Sequence, residues 1–207
     1  MENITIRVVL ATRNRHKIRE MMAILGDLEG LRCLSLERFP GIPEVSEDGR
    51  TLEENAILKV RQAVVSTGLL SLAEDTGLEI DALGGRPGVR SARFAGEKAS
   101  YEDNVARVLE LMKAVTKDHR SARFRSVVAI MEPDGQLRSF EGICPGTIIA
   151  ERRGSEGFGY DPVFVPEGYD LTFSEMDQPE KNRISHRARA LEEVKKYFGE
   201  KIRGELS

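Results

Sequence analysis

Apolar residues follow two rhythms along this chain. Residues 4–11 form a run rich in branched side chains, which predicts a strand, and a polar turn follows at once. Ile18, Met21, Met22 and Leu25 then recur at helical spacing, so the chain opens as strand, polar loop, helix. A second short strand is expected around Cys33, followed by a loop rich in Pro, Gly and acid, FPGIPEVSEDG. Thr51 and Glu54 have capping-box spacing, which predicts a helix starting there; Leu52, Ala56, Val60, Ala63 and Val64 line it and Gly68 ends it. Residues 69–73 are a short apolar run, read as a buried strand ending in Glu74, Asp75, Thr76 and Gly77.

After residues 78–83 the segment GGRPGVRSARFAG holds too much Gly and Pro for regular structure. Residues 100–113 predict an amphipathic helix with Tyr101, Val105, Val108, Leu109 and Met112 on one side. From 122 to 149 the pattern alternates and turns at Pro133-Asp134-Gly135, which predicts an antiparallel hairpin plus one further strand. A Gly-rich loop, 154–160, leads into apolar residues 162–165, and a closing helix starts near Ser185 with Ala188, Leu191, Val194 and Tyr197 on its inner face. Strands interleave with helices early and pair antiparallel later, the order of an α/β fold around a mixed sheet. No repeat, low-complexity tract or linker divides residues 1–207, so a single domain is expected.

Composition narrows the partners. A formal net charge of −3 gives no whole-protein reason to bind nucleic acid, although a local anion site needs only a few residues. No stretch approaches the roughly 20 apolar residues of a membrane span, and the N-terminus lacks a signal-peptide pattern. Cys33 and Cys144 match no metal-ligand spacing and are read as reduced thiols of a cytoplasmic protein.

Four polar clusters lie at the ends of these elements, where α/β proteins place ligands. Thr12, Arg13, Asn14, Arg15, His16 and Lys17 precede the first helix, whose free N–H groups suit an anion; a capped helix with solvated basic residues is the plainer account. Glu54, Glu74 and Asp75 are carboxylates of the kind that hold Mg²⁺, although Glu54 also serves as a cap and acid before Gly marks turns. Gly157, Phe158, Gly159, Tyr160 and Asp161 offer a ring to cover a flat ligand, or simply a tight turn with a core Phe. Lys181 and the pair His186-Arg187 bring positive charge to the start of the closing helix, where the macrodipole opposes it, unless they merely face solvent. As a set the clusters supply phosphate binders, metal carboxylates, a stacking ring and polar base readers, which together match a nucleoside triphosphate.

The strings VVLATRNRHKIREM, TLEENAILKVRQA, LAEDTGLEIDALGGRPGVRSARFAGE, GFGYDPVF and EKNRISHRARAL, in that order, resemble the non-standard-purine nucleoside-triphosphate pyrophosphatases, also called inosine triphosphatases or XTP/dITP diphosphatases. The resemblance runs from about Val8 to Leu191. It implies hydrolysis of ITP, dITP and XTP to the monophosphate and pyrophosphate, with Mg²⁺, by a homodimer. The implied architecture is an elongated mixed sheet flanked by helices, in two lobes around a central cleft. On the same basis Thr12, Asn14 and Lys17 bind the triphosphate, and Asp75 is general base and metal ligand, with Glu54 and Glu74 assisting. Thr76 touches substrate, Phe158, Gly159, Tyr160 and Asp161 shape the base pocket, and Lys181, His186 and Arg187 complete the nucleotide site. Two departures stand out: many relatives have Gly in place of Arg13, which changes the shape or charge of the phosphate loop, and Ser in place of Thr76, which keeps the hydroxyl.

Three other readings stay open at this point. Asp75-Thr76-Gly77 is the triplet of aspartic proteases, though the helix-rich pattern fits that all-β fold poorly. A pyrophosphatase acting on pyrimidine or modified nucleotides, and a nucleotide sensor without turnover, share most of the same groups.

Overall fold

The structure, a computed structural model, describes residues 5–205. It is an α/β protein with a mixed sheet. Strands β1 (Ile6–Leu10), β2 (Leu31–Ser35), β3 (Ser71–Ile80), β4 (Pro87–Gly88), β5 (Ser121–Met131), β6 (Leu137–Ile148) and β7 (Phe164–Pro166) run in the order β2-β1-β3-β5-β6-β7, with β4 on β3. β1 is parallel to β2 and β3, whereas β4 on β3 and β7 on β6 are antiparallel. Helices α1 (Arg15–Leu25) and α2 (Leu52–Thr67) make the early crossovers; α3 (Tyr101–Met112), α4 (Gln178–Ile184) and α5 (His186–Ile202) come later. The first strand was expected from residue 4; Ile4 lies outside the described residues.

The chain forms two compact units. The first holds the residues up to Asp75, Ser126–Gly142 and the chain from Arg187 onward; the second holds Thr76–Arg125 and Ile143–His186. In the first, side chains alternate across the strands as the pleat requires. Val8, Leu10, Leu72, Val128 and Ile130 pack with Met21, Ile24 and Leu25 of α1 and with Leu191, Val194 and Phe198 of α5. Their neighbours Ala11, Ala73, Ala129 and Met131 pack with Ala56, Val60, Ala63 and Val64 of α2. The small residues on that side let α2 lie close to the strands, which matters for what Asn55 and Lys59 reach. In the second unit Leu78 and Ile80 meet Val105, Val108 and Met112 of α3, and Phe124, Phe164 and Phe173 form an aromatic group with centroids 4.7–6.0 Å apart.

The helix ends follow local chemistry. The Thr51 hydroxyl accepts the Glu54 N–H and Gly68 closes α2 with φ 66°, but the Glu54 carboxylate accepts the Arg50 N–H, so the box is not reciprocal. Ser100 and Asp103 form the complete box at α3. Four expectations fail: the Gly- and Pro-rich segment after residue 83 holds β4 and a 3-10 turn at Ser91–Arg93, residues 122–149 hold β5 and β6 without a further strand, and two other elements differ as follows. The run 69–73 does not end at Glu74; the strand continues through Asp75, Thr76 and Gly77 to Ile80. Acid followed by glycine signals a turn only while the carboxylates need water, and here protein cations and donors replace it. α4 has almost no apolar periodicity, yet Asp177 caps it by accepting the Glu180 N–H at 2.7 Å, with proline in the first turn.

Candidate active site

The turn after β1 is built by Asn14, whose side chain accepts the N–H groups of His16 and Lys17 and so starts α1. The Thr12 hydroxyl accepts the Asn14 N–H at 3.2 Å. Thr12 and Asn14 therefore shape this turn. Within it Arg13 and Arg15 are exposed, Arg15 lies 4.0 Å from Glu37, and His16 pairs with Arg19 one turn along α1. Lys17 points the other way: its ammonium lies 3.4 Å from a Glu74 carboxylate oxygen.

Glu74 is fully buried and heavily compensated. It accepts from the Ser126 hydroxyl at 2.7 Å and from two nitrogens of Arg187, Nε at 3.1 Å and Nη2 at 2.9 Å. The third face of the Arg187 guanidinium is bonded to Glu20, which is also buried. Two carboxylates and two cations thus share this interior, a balance that buried charges need. Lys17 is the member that reaches solvent, with 14% of its side chain exposed. Burial holds its pKa below the usual 10.5, and the attraction of Glu74 only partly offsets that.

Asp75, on the opposite face of β3, meets α2. Asn55 donates to one carboxylate oxygen at 3.1 Å and Lys59 to the other at 2.9 Å. The same Lys59 ammonium lies 3.0 Å from Glu47, in the acidic loop. Burial disfavours the Lys59 charge, but Asp75 and Glu47 outweigh it and raise the pKa. Asn55 is oriented in turn, because its carbonyl accepts the Gly49 N–H at 2.8 Å. Two carboxylates therefore converge on one ammonium.

In the second unit the Gly157-Phe158-Gly159-Tyr160-Asp161 loop closes on itself. Asp161 accepts the Phe158 N–H at 2.8 Å and the Lys181 ammonium at 2.6 Å. A Cβ at Gly157, where φ is 77°, would meet the Asp161 carboxylate at 2.3 Å, so glycine is required there. Lys181, buried on α4, lies over the rings of Phe158 and Phe173 at 5.0 and 5.5 Å. Phe158 also faces Tyr101 at 5.9 Å and stays half-buried. Tyr160 is core: its hydroxyl donates to the Ser91 carbonyl at 2.9 Å, and burial raises its pKa. The His186 ring stacks on Phe124, 4.6 Å away and 13° from parallel. Thr76 is partly buried at the start of this unit's portion of β3.

Of the residues singled out from the sequence, Lys17, Glu74, Asp75 and Arg187 lie in the first unit's charge clusters, with Thr12 and Asn14 in the turn that positions Lys17. Phe158, Asp161 and Lys181 form a second group in the other unit. Glu54 is exposed and spent on its helix start, while His16 and Arg15 face outward. The pattern reading passed over Glu20, Glu47, Asn55, Lys59 and Ser126. One signal was available: Asn55 and Lys59, four apart, interrupt the apolar face of a helix otherwise built from Ala56, Val60 and Ala63. Nothing local marks Ser126 or Glu20, whose partners are distant in sequence.

The comparisons with known proteins agree with one another. The model of the Ham1 family matches residues 8–197. A protein of Desulforamulus reducens named dITP/XTP pyrophosphatase is 49% identical over 189 residues, which is 91% of this chain and 94% of that one. Another of that name, from Geobacter sulfurreducens, is 47% identical over 93% of this chain and 96% of its own length. The solved HAM1 protein of Coxiella burnetii superposes with a TM-score of 0.86 at 41% identity, covering 95% of this chain and all of that one. The nucleoside-triphosphatase / dITP/XTP pyrophosphatase of Mycobacterium abscessus does so with a TM-score of 0.74 at 38% identity, over 91% and 98%. With a family model spanning nearly the whole chain and relatives this similar along their full length, the chain belongs to the Ham1 family.

Proposed function

We propose that this protein is a Mg²⁺-dependent hydrolase of non-standard purine nucleoside triphosphates, converting ITP, dITP and XTP to the monophosphate and pyrophosphate. The Asp75–Lys59–Glu47 convergence carries the reading, with Lys17 close enough for its charge to feel Asp75 and Lys59 as well as Glu74. A triphosphate has about four negative charges, and at an effective dielectric of about 20 a single unit pair 4 Å apart interacts by roughly 4 kcal/mol. Neutralising charge is therefore the main task of such a site, and Lys17 and Lys59 bring it to a carboxylate able to take a proton.

No group of three or more acidic, His or Cys side chains suited to a metal occurs among the described residues. Mg²⁺ does not need one: it usually takes one or two carboxylates and completes its shell with waters and phosphate oxygens. Asp75 and Glu47 fit, since both already turn toward one positive charge. Glu54 and Glu74 fit less well, one capping α2 and the other saturated by Arg187, Ser126 and Lys17. Bound there, Mg²⁺ supplies charge neutralisation and polarises phosphoryl oxygens.

Asp75 takes a proton from water as its oxygen attacks the α-phosphorus; the bond from that phosphorus to the bridging oxygen breaks and pyrophosphate leaves. Asn55 fixes the carboxylate plane, and Lys17 binds phosphate oxygens beside the Thr12–Asn14 turn. For the base we propose Phe158 as the stacking ring, with Asp161, Lys181, Thr76 and the Gly159 backbone as polar contacts. Tyr160 anchors that loop in the core through Ser91, and His186 packs on Phe124. The resemblance puts Arg187 in the nucleotide site; with its donors on Glu74 and Glu20, we assign it to holding Glu74 instead.

We further read the protein as a cytoplasmic homodimer, the first from its two free cysteines and the second from the family resemblance. No described helix is long and apolar enough to cross a membrane. Light scattering of the purified chain tests the dimer. Pyrophosphate release from ITP, XTP, dITP, GTP and ATP, with Mg²⁺ and then with EDTA, tests the reaction. Release from ITP that EDTA stops is expected; binding without release would leave a sensor.

A further inference from the structure

Arg13 is exposed in the turn between β1 and α1, the turn proposed to bind phosphate, at a position where the family resemblance has glycine in many members. Its Nη2 donates to the backbone carbonyl of Ile42. Ile42 belongs to the stretch 42–49, which has no regular structure and carries Glu44, Glu47 and Asp48. The far end of this loop is pinned to α2, through the Gly49 N–H on Asn55 and the Arg50 N–H on Glu54. Between Ile42 and Gly49, the Glu47–Lys59 ion pair holds the loop. That pair joins a partly exposed carboxylate to a largely buried lysine that also serves Asp75. The stretch 42–49 has no backbone ladder of its own, so side-chain bonds at its ends bear on where Glu47 sits.

We propose that Arg13 is a positioning residue: its guanidinium latches the 39–50 loop to the phosphate-binding turn and so keeps Glu47 beside Lys59 and Asp75. A glycine at this position could not make the bond. The planar, permanently charged guanidinium suits the task, because it can hold a carbonyl with one N–H while its other donors face solvent or an arriving phosphate. The consequence for activity rests on assigning Glu47 to the metal and phosphate end of the site; the latch itself does not.

The test uses the full chain, free of metal and nucleotide, as the parent, Arg13→Ala and Arg13→Lys. Endoproteinase Glu-C cuts after Glu44 and Glu47, and mass spectrometry separates those cuts from others. Arg13→Ala is expected to be cut in the loop about two- to tenfold faster, the range spanned by one hydrogen bond, with Arg13→Lys between it and the parent. Melting temperature stays within about 2 °C of the parent, as for other exposed side chains. In the assay with ITP, Arg13→Ala needs more Mg²⁺ for half-maximal rate and shows a higher KM, with kcat changed less. Loop cleavage at the parental rate in Arg13→Ala overturns the proposal, and a raised KM alongside that unchanged cleavage assigns Arg13 to the phosphate directly. Because the cleavage needs neither metal nor nucleotide, it judges the latch even if Glu47→Gln leaves turnover intact and the metal assignment fails.

Discussion

Asp75 and Glu74 are adjacent, yet the pleat sends them to opposite sides of β3, where they meet different chemistry. Glu74 is closed in by Arg187, Ser126 and Lys17, while Asp75 has one lysine, one amide and access to a loop carboxylate. On the proposed mechanism Asp75→Asn keeps the shape but removes the base, so turnover of ITP should fall about 10²–10⁴-fold with the melting temperature little changed; kcat and a thermal melt check both. Arg187→Ala should act differently. It removes the guanidinium that buried Glu74 and Glu20 share, a loss of about 3–5 kcal/mol that denaturant unfolding would register. If Arg187 read the base instead, stability would hold and efficiency on ITP would fall far more than on ATP. Lys17 sets a pH limit. Its pKa lies below 10.5 because burial penalises the ammonium, so the charge proposed to bind phosphate is lost on the alkaline side earlier than for an ordinary lysine. The alkaline limb of kcat/KM should therefore lie below 10.5, and Lys17→Arg should move it upward.

At the scale of elements, the strand–turn–helix at 6–25 and the helices α2, α3 and α5 were legible, because apolar periodicity and capping residues agreed there. β3 was cut short in the reading because its acidic pair looked like a turn; only distant partners such as Arg187, Lys59 and Ser126 make a buried acidic strand tolerable. α4 was missed for the opposite reason, since its cap and proline are local signals but it lacks an apolar stripe. That helix carries Lys181 onto Asp161. Asp177→Ala should cost about 1 kcal/mol of stability through the lost cap and raise KM for ITP through Lys181, leaving Asp75-dependent chemistry intact. A change in kcat with KM unaltered would contradict that role.

Over the whole molecule, fold and family were readable from ordered motifs alone, because each motif fixes a turn or a cap within one short segment. The acidic partner of Asp75 was not readable in this way. Glu54 had the better local pattern, and Glu47 acquires its place only when the loop folds against Lys59. Products and substrate preference test the account most directly. With Mg²⁺, ITP should yield IMP and pyrophosphate in equal amounts, with kcat/KM above that for ATP by at least about tenfold, the discrimination one mismatched polar contact allows. Orthophosphate and IDP as products, or equal rates on ITP and ATP, would contradict it.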